Sequence, residues 1–181
     1  TRDDDRDDLS PYAKDLTIGA LAPTHQWMVE QGEWKQAVQS YLASCSFVDH
    51  CVGRVIEALE RGPHAQNTIV VLFSDHGWHL GEKQQWAKRT LWEDATRVPL
   101  IVAAPGFATS RACEAPVGLI DLYPTLLELC GLPADERLEG HSLQPLLADA
   151  QAPWEHMAIT TFAPRSHAVR SRQWRYICYS D

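Results

Sequence analysis

Asp75 and His76, adjacent in the chain, offer one carboxylate oxygen and one imidazole nitrogen, a donor pair able to hold a divalent cation. A buried Asp–His hydrogen bond would present the same two letters, so the residues around the pair have to decide between the readings. Gly77 comes next and lets the backbone turn sharply or pass close to another group. Shortly downstream Lys83, Lys88 and Arg89 bring positive charge, and Trp78, Trp86 and Trp92 bring rigid aromatic surface. A metal ligand pair followed by ammonium groups suits an oxyanion ester held between a cation and a lysine.

Such a pair needs a scaffold that delivers both side chains to one place. Residues 68–74 form an apolar run with almost no polar side chain, which predicts a central strand covered on both faces, as in a parallel sheet between helices. Ligands of open α/β sheets bind just beyond the carboxyl ends of their strands, which is where Asp75 and His76 fall. The segment 75–97 is too long and too rich in Trp, His, Lys and Glu for a plain connector, and loops of that length inside domains are usually functional. Residues 98–104 predict the next strand, with Pro99 at its start and the turn Pro105-Gly106 at its end.

Upstream, Trp34, Val38, Tyr41, Cys45, Val48, Val52, Val55 and Leu59 recur at steps of four and three, the stripe of one long helix closed by Gly62-Pro63. Asp49 and His50 lie in this helix and are assigned to packing or surface. Residues 1–33, interrupted by Pro11, Gly19, Pro23 and Gly32, are expected to be mainly loop with one short helix. Downstream, residues 117–120 predict a short strand and Asp121 caps a helix over 122–130, with Pro124 tolerated in its first turn and Gly131 as its stop. One more helical turn is expected over 142–147. Three antiparallel strands at 157–162, 167–171 and 174–179 then predict a small sheet apart from the main one.

The 181 residues carry a net charge of −8, which argues against nucleic acid or an anionic membrane surface as the main partner. An anionic substrate would therefore need a local cation. No apolar run approaches the length of a membrane span. The five cysteines form no C-x-x-C pair, so a zinc knuckle or a full disulfide framework is not expected, and they read as small buried hydrophobes. The run Asp3-Asp4-Asp5 with Asp7-Asp8 lacks the spacing of a calcium loop and reads as a solvated face. The chain opens on that charge run without Met and stops just after an expected strand, so both ends are expected to be cut.

Three ordered stretches resemble the sulfatases of the alkaline phosphatase superfamily, most closely the iduronate-2-sulfatase and choline-sulfatase branch. They are Ser74-Asp75-His76-Gly77-Trp78-His79-Leu80-Gly81-Glu82, Trp86-Ala87-Lys88, and Ala95-Thr96-Arg97-Val98-Pro99-Leu100. Residues 41–59 and 121–131 agree with the same family. The resemblance implies an α/β/α sandwich with a small C-terminal antiparallel sheet, in which residues 1–150 form the C-terminal part of the catalytic domain and 151–181 the start of a β subdomain. It implies a calcium ion with Asp75 and His76 among its ligands, and Lys88 holding the sulfate ester and stabilising charge as the S–O bond breaks. His79 and Lys83 are further candidates for facing substrate, although the family pattern does not fix them. The implied partner is a sulfate ester, with a sulfated sugar among its implied forms, and the implied compartment is periplasmic, secreted or lysosomal.

The family's nucleophile is a formylglycine made from Cys or Ser in a C-x-P-S-R motif, and none of the cysteines here fits. Cys130-Gly131-Leu132-Pro133 places proline one position too late and lacks the arginine. The chain is therefore expected to carry part of a sulfatase site and not to turn over sulfate esters alone. Competing expectations are a phosphodiesterase or phosphonate monoester hydrolase of the same superfamily, and a non-catalytic binder of sulfated glycans.

Overall fold

The computed structural model describes residues 5–18, 22–108 and 110–179. In chain order its elements are helices α1 (Pro11–Asp15), α2 (His25–Glu30) and α3 (Trp34–Glu60), strand β1 (Val70–Phe73), and the short strands β2 (His79–Leu80) and β3 (Trp86–Ala87). Helix α4 (Glu93–Thr96), strand β4 (Leu100–Ala103), helices α5 (Leu122–Leu129) and α6 (Gln144–Ala148), and strands β5 (Ala158–Ala163), β6 (Ser166–Arg170) and β7 (Arg175–Cys178) follow. The chain divides into two compact units, the first running to Thr68 and resuming over His76–Val98, the second made of Ile69–Asp75 and the chain from Pro99 onward.

In the first unit, Ser10 and Thr24 cap α1 and α2 by accepting from Ala13 N and Trp27 N, each satisfying a donor that the first helical turn leaves unpaired. The segment expected to be mostly loop thus holds two short helices, whose caps are the signal the glycines and prolines obscured. Helix α3 follows its apolar stripe and stops at Arg61, before Gly62. Trp34 at its start donates from Nε1 to Leu80 O at 2.7 Å and lies so close to Gly81 that a Cβ there would come within 2.8 Å of the indole ring. Gly81 also has φ +115, so no side chain would fit its backbone or its space. Ala13, Met28, Trp86, Leu91, Trp92 and Ala95 form the buried apolar set of this unit among the described residues.

No residue of α3 is buried, and Phe47, Val48 and Val55 on it are exposed, Val55 at 68 %. This corrects the expectation for the cysteines, because all five are exposed, Cys45 on the stripe of α3 and Cys51 elsewhere on the same helix. Periodicity established the helix, while burial depends on a covering surface that periodicity cannot supply.

In the second unit, β1 pairs with β4 in antiparallel register, Val70 opposite Ala103 and Phe73 opposite Leu100. The strand expected to be buried on both faces in a parallel sheet has this one partner among the described residues, and Phe73 is 49 % exposed. Pro99 precedes β4 as expected, and its carbonyl accepts from Ser74 N at 3.3 Å. Residues 119–121 form a 3-10 turn rather than a strand. Asp121 does not cap α5 with its side chain; its carboxylate instead accepts from Gly118 N and His141 N, both at 2.8 Å. Thr125, buried, accepts from Leu143 N and so ties α5 to the chain leading into α6. Strands β5, β6 and β7 form the expected C-terminal antiparallel sheet in sequential order.

Candidate metal and anion site

The backbone leaves β1 through Ser74, reaches Asp75 as the exposed last residue of its stretch in the second unit, and enters the first unit at His76. Gly77 fixes the path there. A Cβ on Gly77 would lie 1.9 Å from Asp94 O, and the Gly77 N–H donates to Ala95 O at 2.8 Å. Only glycine permits this approach, so the chain is stitched to the far end of its own loop at the residue that follows His76.

His76 is held in one tautomer. Its Nδ1 lies 2.9 Å from Gly77 O, and a carbonyl can only accept, so Nδ1 carries the proton and Nε2 presents a lone pair. That lone pair accepts from the Lys88 ammonium at 2.5 Å. A ring nitrogen donating to a backbone carbonyl while the other faces a cation is the arrangement of a metal-ligating histidine, with an ammonium in the cation's place. His76 Nε2 is thus a single nitrogen donor directed at a cation. The His76 ring lies 6.2 Å from the Trp78 ring, and Trp78, 40 % exposed, stacks on Tyr41 of α3 at 6.4 Å.

Lys88 follows β3, which pairs with β2 so that His79 faces Ala87 and Leu80 faces Trp86. The hairpin is bent at unusual cost: Lys83 and Gln84 in its turn and Ala87 in β3 have φ of 50, 59 and 66. Left-handed backbone at non-glycine residues disfavours each by roughly 1–2 kcal/mol. It is retained because the hairpin is pinned from outside, by Trp34 on Leu80 and by Arg6, whose guanidinium donates to Gln84 Oε1. The result delivers an exposed Lys88 to His76.

His79 lies inside the loop, 0 % exposed. Its Nε2 meets Thr90 Oγ1 at 2.8 Å, and its ring packs edge-on against Trp92 at 5.7 Å. Burial lowers its pKa below the ordinary 6.5, outweighing the opposing pull of the Asp94 and Glu82 carboxylates. Its position makes it a packing and hydrogen-bonding group of the loop and gives it no exposed face for a substrate. Lys83 is engaged by Asp5, with Nζ 2.9 Å from Oδ1 and 2.8 Å from the Asp5 carbonyl. Asp5 of the acidic run thus has a partner in the loop, while Asp3 and Asp4 lie outside the described residues. Trp86 and Trp92 are buried, so of the three tryptophans only Trp78 is an exposed wall. Thr90 and Asp94, which surround His79, escaped sequence reasoning because their role depends on the loop folding back on itself.

The sulfatase family profile matches residues 3–132. The chain belongs to the sulfatase family. A sulfatase from Formosa agariphila is 44 % identical over 178 residues, a match covering 98 % of this chain and 35 % of that protein. The structure of BT4656 in complex with its substrate D-glucosamine-2-N,6-O-disulfate superimposes with a TM-score of 0.65 at 26 % identity, covering 87 % of this chain and 34 % of that one. The phosphonate monoester hydrolase of Silicibacter pomeroyi superimposes with a TM-score of 0.59 at 28 % identity, covering 69 % of this chain and 30 % of that one. The chain spans about a third of the length of the curated relatives it matches, 35 % and 29 % for the first two. Its fold is accordingly that of the alkaline phosphatase-like sulfatases, mixed helix and sheet with a small C-terminal antiparallel sheet of three strands.

Proposed function

We propose that this chain contributes the cation-binding and ester-binding residues of a calcium-dependent sulfuric ester hydrolase whose formylglycine nucleophile lies outside it. The observation that carries this reading is the pairing of Lys88 with the Nε2 lone pair of a histidine whose Nδ1–H donates to Gly77 O. Asp75 and His76 would hold the calcium ion, which when bound supplies positive charge to polarise a sulfate oxygen. Lys88, the ammonium already next to that position, binds the ester's anionic oxygens and offsets charge on the leaving oxygen. Trp78 offers a rigid apolar face beside His76 for the group carrying the ester. Because BT4656 acts on a sulfated glucosamine, a sulfated sugar is the substrate class this reading favours.

Calorimetric titration of the full-length protein with calcium tests the assignment. Wild type should bind, whereas Asp75→Ala and His76→Ala should each weaken binding by at least ~10-fold. Unchanged affinity in both variants would remove the two residues from the metal site. Peptide mapping of the native protein should find a formylglycine upstream of Thr1, and an unmodified nucleophile such as Thr there would favour the second reading. That reading is phosphonate monoester or phosphodiester hydrolysis, supported by the match to the Silicibacter pomeroyi enzyme.

A further inference from the structure

His79, Glu82 and Asp94 each place one ligand atom within 4.8 Å of the others, the one such grouping among the described residues. A cluster of this kind on a surface would mean little, but His79 is fully buried and its Nδ1 has no hydrogen-bond partner among protein groups. The nearest acidic oxygen, Asp94 Oδ2, is 3.7 Å away, beyond hydrogen-bond reach. Either tautomer leaves Nδ1 unsatisfied. If Nε2 donates to Thr90 Oγ1, a bare nitrogen lone pair faces a carboxylate, and two acceptors then confront each other. If the Thr90 hydroxyl donates instead, the Nδ1 proton points at an oxygen too distant to take it.

We propose that His79 Nδ1, Glu82 and Asp94 form a second divalent cation site, separate from Asp75 and His76, that takes a borderline first-row metal of the zinc type. One imidazole and two carboxylates are a donor set that zinc or manganese accepts readily. A 2+ ion would neutralise the two carboxylates and satisfy the buried nitrogen. The Nε2–H donated to Thr90 Oγ1 would then be the outer hydrogen bond that orients a ligating imidazole. Lys83, whose charge acts on His79, is paired with Asp5 at 2.9 Å, so that charge is already compensated. Glu82 is anchored for the purpose, its Oε2 accepting from Leu80 N at 2.6 Å.

The three donors come from β2, from the turn between β2 and β3, and from α4, so a bound ion would fasten together both ends of the segment that presents Lys88. Its role is structural, and it stands or falls independently of the sulfate-ester reading. The test is zinc anomalous diffraction from crystals of the full-length protein soaked in zinc chloride, with zinc affinity measured in solution. A peak about 2.0–2.2 Å from Nδ1 and the two carboxylates is expected. Asp94→Asn, a change at an exposed position, should abolish that peak and lower zinc affinity at least ~10-fold while leaving the Asp75 and His76 site able to bind calcium. His79→Gln provides a second variant that keeps a donor for Thr90 and loses Nδ1. Density for water alone at Nδ1, closure of His79 onto Asp94 as a plain hydrogen bond, or zinc found only at His76, His141, His156 or the exposed thiols would each overturn the proposal.

Discussion

Gly77→Ala tests how the candidate site is held. The added Cβ would sit 1.9 Å from Asp94 O and 2.9 Å from Asp94 C, atoms of a backbone that cannot rotate aside. The loop must therefore separate, at about 1–3 kcal/mol for overpacking, and it loses the Gly77 N–H to Ala95 O bond, about 1 kcal/mol more. Reduced freedom of the unfolded chain returns about 0.4–1 kcal/mol. The net loss is about 1–3.5 kcal/mol, which moves a urea midpoint down by about 0.5–2 M for an ordinary slope. Urea denaturation followed by tryptophan fluorescence measures it, because Trp86 and Trp92 are buried in the affected unit. A midpoint within about 0.2 M of wild type would refute the claim that this close approach holds the loop.

Stability should also fall with acidity. His79 has its pKa lowered by burial, so between the ordinary 6.5 and its lower folded value the unfolded chain binds a proton that the folded chain does not. The unfolding free energy should drop as pH falls from 7 through 6.5 and level off below the folded pKa; His25, also lowered by burial, adds a slope of the same sign. In urea titrations at several pH values His79→Gln should flatten this dependence, and an unchanged slope would contradict a buried neutral imidazole. All five cysteines should react with a thiol reagent under native conditions; protection of Cys45 would show that the α3 stripe is covered. Trp34→Phe, which removes the indole donor to Leu80 O, should cost about 1 kcal/mol and loosen the hairpin, read as faster amide exchange in β2 and β3. Exchange rates matching wild type would show that the hairpin does not depend on that bond.

Much of the fold is legible in the chain because local patterns carry it. The stripe from Trp34 to Leu59 gives α3, Pro99 and the Pro105-Gly106 turn bracket β4, and period-two texture gives the C-terminal sheet. What was not legible depends on contacts distant in sequence. The apolar run of β1 could not reveal that its observed partner is antiparallel, since a buried parallel strand and a two-stranded ribbon share that composition. Asp121 looked like a helix cap, but its carboxylate is used by His141 N, twenty residues away in the chain. The candidate site divides the same way. Asp75, His76 and Lys88 follow from a motif, and the structure brings His76 and Lys88 together. His79 carried no sign of its burial, and nothing in the letters linked it to Thr90 and Asp94.

The central claim, that Lys88 serves an ester of sulfate, is tested most directly by hydrolysis of an aryl sulfate and an aryl phosphonate monoester by the full-length protein and its Lys88→Ala variant. Calcium-dependent turnover of the sulfate, reduced by about 100-fold or more in kcat/KM when the ammonium is removed, is the predicted result. Turnover of the phosphonate in preference to the sulfate, or sulfate turnover indifferent to Lys88→Ala, would contradict it.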